Sequence, residues 1–219
     1  MSKQPYDWSG LATGIVSGAV GRVAGASTRV TGTPPNPPPP SRDRLEALCR
    51  ALLIELGEDP DREGLIDTPR RWARWWMDFV GYEPGTLDTT FESVSHDQLV
   101  LVSGMRVWSL CEHHLLPFWC DVTVAYIAAG EVLGLSKFAR IAHQAAHRLQ
   151  LQEQLIRQIA DTVEHITGSA DVAVLGTGEH LCMTMRGIRT PARMTSSILR
   201  GQFQSDPDRR AELFALLRQ

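Results

Sequence analysis

The strongest constraint on this chain is a proline run. Six of its 13 prolines fall in the seven residues from Pro34 to Pro40. Proline lacks the amide hydrogen that helices and inner strands need, so the run favours extended polyproline II. Ordered structure is therefore expected to begin at Ser41. Residues 1–41 read as a Gly/Pro-rich disordered tail and linker, with a docking site for a proline-reading module as the functional alternative. Residues 42–219 remain for one folded domain.

Composition narrows the class of that domain. The net charge is -3, and a protein that wraps nucleic acid shows a basic excess. Any anion must be held by a local cluster. Four cysteines in 219 residues do not make a disulfide scaffold. No stretch reaches the roughly 20 apolar residues that span a bilayer. Gly14 and Gly18 are spaced like a membrane packing motif, but their run ends at Arg22. A soluble cytoplasmic protein is the expectation.

Periodicity then changes twice along the chain. Leu45, Leu48, Leu52, Leu53 and Leu56 repeat at helical spacing, with Gly57 as the stop. Thr68-Pro69 reads as an N-cap and first-turn proline before a second helix. That helix carries Trp72, Trp75, Trp76 and Phe79 on one face, a packing stripe. Strand-like runs follow at 99–102, 107–108, 121–127 and 132–135, with clear alternation in 121–127. A long helical region is expected over about Lys137–Thr167, closed by Gly168. Strands are expected at 171–175 and 179–188, and a last helix after Asp206-Pro207. The order predicts an α+β domain with a mostly antiparallel sheet.

Four polar clusters stand out. Cys111-Glu112-His113-His114 places Cys111 and His114 at C-x-x-H spacing, suited to zinc but short of a full ligand set. If His180–Arg186 is a strand, His180, Cys182, Thr184 and Arg186 share one face, with Leu181, Met183 and Met185 buried on the other. Cys111, His114 and Cys182 then form a three-ligand site with room for water, the pattern of catalytic zinc. A structural site closed by Cys120 or His180 is the alternative. His113 and His180 are spare histidines suited to proton transfer. The H-x-E and P-C-x-x-C signature of zinc deaminases is absent. Ser136, Lys137 and Arg140 form a cap-and-cation group at a helix start, suited to phosphate. Gln152 and Glu153 offer an amide and a carboxylate that can read a purine edge, unless their stretch is merely solvent-exposed helix. His96, His143, His147 and His165 lack such company and receive no role.

Together these segments resemble GTP cyclohydrolase I. The likeness runs from about Leu45 to Leu217 and includes Gly57-Glu58-Asp59-Pro60, Arg62-Glu63-Gly64-Leu65 and Thr68-Pro69-Arg70-Arg71. It continues through Cys111–Phe118, Val124–Ile127, Gly134–Lys137, Arg148–Glu153, His180–Met183 and Arg186-Gly187. The resemblance implies a tunnelling fold, an antiparallel sheet with long helices on one side, after an N-terminal helical part of about 42–95. It implies a homodecamer with active sites at subunit interfaces. It implies conversion of GTP and water to 7,8-dihydroneopterin triphosphate and formate. By motif position, Cys111, His114 and Cys182 hold zinc, and His113 and His180 move protons. Lys137, Arg140 and Arg186 hold triphosphate, Gln152 and Glu153 recognise guanine, and Ser136 assists the ribose rearrangement. A specialised relative in a secondary pathway, or a silent binding subunit, is the alternative.

Some positions depart from the family pattern: Trp119-Cys120, Ala128 and the stretch Thr190–Met194. Cys120 lies nine residues past Cys111, so a disulfide with a zinc ligand under oxidation is one expectation. Cys49 is expected in the core.

Overall fold

A computed structural model describes residues 38–93 and 97–218. The tail reading for 1–41 falls almost wholly outside the described residues, as does His96.

The fold begins with two helices. α1, Arg42–Glu55, is capped by the Ser41 hydroxyl, which accepts from the Arg44 amide. Gly57 ends it at φ +80°, a conformation that glycine adopts without penalty. α2 spans Thr68–Val80. Its N-cap is Asp67 rather than Thr68, and Pro69 sits in the first turn, where its missing amide hydrogen costs nothing. A bidentate Arg50–Asp61 pair, at 2.8 and 2.6 Å, ties α1 to the connecting turn. Trp75 and Phe79 stack at 5.5 Å, and Phe79 reaches His147 at 5.3 Å. The aromatic stripe therefore packs, as its spacing suggests.

Seven strands follow among the described residues. β1 (Thr90–Glu92) and β4 (Glu131–Leu133) form a small antiparallel ribbon. β2 (Leu99–Cys111), β3 (Pro117–Ile127), β5 (Leu149–Gln150), β6 (Val172–His180) and β7 (Arg193–Leu199) make the main sheet, in the order β5-β2-β3-β6-β7. Among the described residues only the β2–β5 pairing is parallel. This is the expected α+β arrangement with a mostly antiparallel sheet.

One face of the sheet carries the main core. Phe118, Cys120, Val122, Val124 and Tyr126 alternate along β3 and are buried against two helices. These are α3, Leu135–Ala146, and α4, Gln152–Thr167. The long helix expected over 137–167 is thus broken. Gln150 explains the break. Its amide nitrogen donates to the Ala145 carbonyl at the end of α3, and its oxygen accepts from the Leu151 amide. Its backbone meanwhile pairs with Cys111. The other sheet face is covered at one end by α6 (Gln202–Ser205) and α7 (Pro207–Leu216), which bury Phe203 and Leu213 against Ala125, Ile127 and Ala173.

The strand expected over 179–188 also ends early. β6 stops at His180, and Leu181–Thr184 forms a helical turn, α5. Met183 and Met185 are exposed rather than buried.

Candidate active site

The site forms where three chain breaks meet. Cys111 ends β2, and the turn after it carries His113 and His114. His180 ends β6, and α5 carries Cys182. Antiparallel pairing sets Phe118, just after the first turn, opposite His180. Parallel pairing sets Cys111 beside Gln150, so α4 begins at the same place. The ends of separate strands thus deliver the first, second and fourth clusters to one cavity of about 430 Å³. Cys111, His113, His114, Glu153, His180 and Cys182 all line it.

Cys111, His114 and Cys182 place one ligand atom each within 4.8 Å of one another. Cys120 is not in that group; it is fully buried on the helix-facing side of β3. Burial pushes its thiol pKa up to about 12, with Asp121 adding to the shift. It is therefore a poor nucleophile toward a ligand sulfur near neutral pH. The Cys182 thiol is also raised, first by burial and then by Cys111, with Arg186 opposing. A Cys182 thiol whose ionisation burial and a neighbouring sulfur hinder suits a dication, which reverses that cost. Soft sulfur with imidazole is a donor set that fits zinc.

His180 is held from two sides. Its ring stacks on Phe118, centroids 4.5 Å apart and planes at 5°. Its Nε2 lies 3.0 Å from Oε1 of Gln152. Burial lowers its pKa below the ordinary histidine value, while Glu153 pulls the other way. The base is therefore held neutral near pH 7, the state from which it can take up and pass on a proton. His113 is exposed on the rim, with Nδ1 3.9 Å from the Cys111 sulfur. Arg186 follows α5 and its guanidinium contacts Nε2 of His114.

Gln152 sits differently from the expectation. It is completely buried, not on an exposed helix stretch. Its amide nitrogen faces the carbonyls of Gly176 and Met194 and the Ser196 hydroxyl, at 3.0–3.1 Å. Its side chain has no free edge left for a base. Glu153 beside it is exposed at the cavity, in the first turn of α4.

The third cluster lies elsewhere. Ser136, Lys137 and Arg140 are in the first turns of α3. Gly134 is the N-cap of that helix, so Ser136 is not the cap. Phe138 packs on Tyr126, eight residues along β3 from Phe118. Eight strand residues span roughly 26 Å, so one copy of the chain keeps these cations away from the cavity. Here Lys137 donates to the Thr86 carbonyl at 2.7 Å and Arg140 to that of Pro84 at 2.6 Å.

Two residues beside the site groups escaped the sequence reading. Phe118 carries no polar group to draw attention, although it lies opposite His180. Arg193 lines the cavity and also stands over the Trp119 ring at 5.8 Å. Its only signal was its place in the atypical Thr190–Met194 stretch.

Comparison with known proteins adds an independent line. A model of the GTP cyclohydrolase I family matches residues 45–218. A GTP cyclohydrolase 1 of Corynebacterium glutamicum is 48% identical over 183 residues, covering 80% of this chain and 93% of that protein. One of Alkalilimnicola ehrlichii is 46% identical over 182 residues, covering 80% and 98%. One of Hyperthermus butylicus is 42% identical over 179 residues, covering 82% and 92%.

Proposed function

The chain belongs to the GTP cyclohydrolase I family, and from that premise we propose that it hydrolyses GTP to 7,8-dihydroneopterin triphosphate and formate, a first step toward tetrahydrofolate and other pterins. The observation that carries the reading is one cavity holding Cys111, His114 and Cys182 together with His113, His180 and Glu153.

Cys111, His114 and Cys182 hold one zinc ion. That ion would supply Lewis acidity and lower the pKa of a water to about 7, the kind of nucleophile that attack at guanine C8 needs. His180 takes a proton from the attacking water on its cavity-facing nitrogen and passes it to guanine N7 as the imidazole ring opens. His113 serves the later step, protonating the ribose ring oxygen so that the sugar opens and rearranges. Glu153 accepts from guanine N1–H and the exocyclic amine. Arg186, Lys137 and Arg140 hold the triphosphate by charge-assisted hydrogen bonds, and Ser136 assists the rearrangement.

That division of labour requires a second copy. The Lys137 cluster cannot reach the cavity of its own chain, so a neighbour supplies it. The main sheet favours such assembly. β7 ends it on one side, and on the other, among the described residues, β5 pairs only with Leu110 and Cys111. Unpaired strand edges invite another chain. A tunnelling-fold homodecamer, with catalysis in residues 42–219 and in the cytoplasm, is the proposed form.

The test is direct. Purified protein incubated with GTP should release formate and a pterin that fluoresces after oxidation, with one zinc per subunit. Cys182→Ser should lose both zinc and turnover, while His113→Ser should keep zinc and make no pterin. Wild-type protein with full zinc and no product would refute the reading.

A further inference from the structure

Resting on that reading, we infer that Gln152 is a positioning residue for His180: it fixes which ring nitrogen holds a hydrogen and which faces substrate. The argument starts from the amide itself. Its nitrogen lies 3.0 Å from the Gly176 carbonyl and 3.1 Å from the Met194 carbonyl. Carbonyl oxygens only accept, so the atom between them must be the NH2 group. The reversed amide would set three oxygens against one another. The remaining atom, Oε1, can only accept. His180 Nε2, 3.0 Å away, must therefore donate to it. With hydrogen fixed on Nε2, the neutral ring carries its lone pair on Nδ1. Nδ1 makes no hydrogen bond among the described residues and is left for a ligand of the cavity. The Phe118 ring, parallel at 4.5 Å, fixes the plane of the imidazole.

The sheet is cut to admit this amide. At Gly178 a Cβ would come within 3.0 Å of Gln152 Oε1 and 2.1 Å of the Trp119 carbonyl. At Gly176 it would meet Cys120 Sγ at 2.7 Å and Ile156 Cγ2 at 2.9 Å. Two glycines on the helix-facing side of β6 thus make a slot, and Gln152 fills it. A residue whose side chain is enclosed, with every polar atom bonded inside the chain, orders its neighbours rather than contacts the base.

Steady-state kinetics of the zinc-loaded enzyme separate the two roles. Gln152→Met should keep zinc, leave KM for GTP within about threefold, and lower kcat by about tenfold to a hundredfold. Gln152→Asn serves if Met prevents folding. It keeps an amide but draws the oxygen back by about 1.5 Å, one carbon–carbon bond, with the same kcat-specific loss expected. In a His180→Ala background the Gln152 substitution should change the residual kcat by less than about twofold, because its effect runs through the missing ring. A KM increase at unchanged kcat makes Gln152 a base reader and overturns the inference alone. Additive loss of kcat in the double variant overturns it too, as a general structural effect. Wild-type enzyme that makes no pterin brings down the function reading and this role with it.

Discussion

Two sulfur atoms in one strand-and-turn region do opposite jobs. Cys182, partly buried beside Cys111, belongs to the three-residue group that can hold a metal. Cys120, in the core, has its thiol held protonated up to about 12. Native protein stripped of metal and treated with iodoacetamide near pH 8 should be alkylated at Cys182 and remain unmodified at Cys120. Peptide mass spectrometry reads this, and labelling of both at equal rates would refute the assignment. Residue types alone had marked Cys111, His114 and Cys182, because thiol and imidazole at these spacings have few other uses. They could not place Cys120, since burial depends on strand register. Nor could they place Gln152, whose polar side chain reads as a purine-edge contact or as exposed helix until its partners across the sheet are known.

At the scale of elements, the departures from expectation share one cause. Local pattern does not reveal where a hydrogen bond closes a turn. The alternation of His180–Arg186 imitates a strand, yet the Met185 amide bonds to the Leu181 carbonyl and closes α5. That turn is what brings Cys182 to Cys111. The long helix imitated by 137–167 breaks where Gln150 binds the Ala145 carbonyl near the end of α3. By contrast, α1, α2, β3 and α7 were legible, since each carries its own period and start or stop residue. The joint between α2 and α3 holds a feature that no period shows. Tyr82 stacks on His147 at 4.0 Å, and His143 lies 5.8 Å from His147. Burial lowers the His143 pKa below 6.5, and His147 lowers it further. The unfolded chain then binds the proton more readily than the folded one. Stability is complete above about pH 6.5 and falls as pH drops through the lowered value. Urea melts at pH 7.5 and pH 5.5 should show this loss, and His143→Gln should reduce it, His180 retaining its own share. Equal pH dependence in the variant would remove His143 from the account.

The whole molecule poses the remaining problem. The cavity with Cys182 and the cations at Lys137 and Arg140 lie toward opposite ends of one sheet, yet the proposed chemistry needs both on one GTP. Mixing inactive chains tests this directly. Cys182→Ser lacks the metal cluster, and Lys137→Ala with Arg140→Ala lacks the triphosphate cations. Each should release almost no formate or pterin from GTP. Co-refolded in equal amounts with zinc, they should regain activity, because about one site in four then combines an intact cavity with intact cations from a neighbour. Recovery toward a quarter of the wild-type rate is the predicted result. No recovery, from mixtures prepared as an active wild-type control is, would contradict a GTP-opening site shared between two copies of this chain.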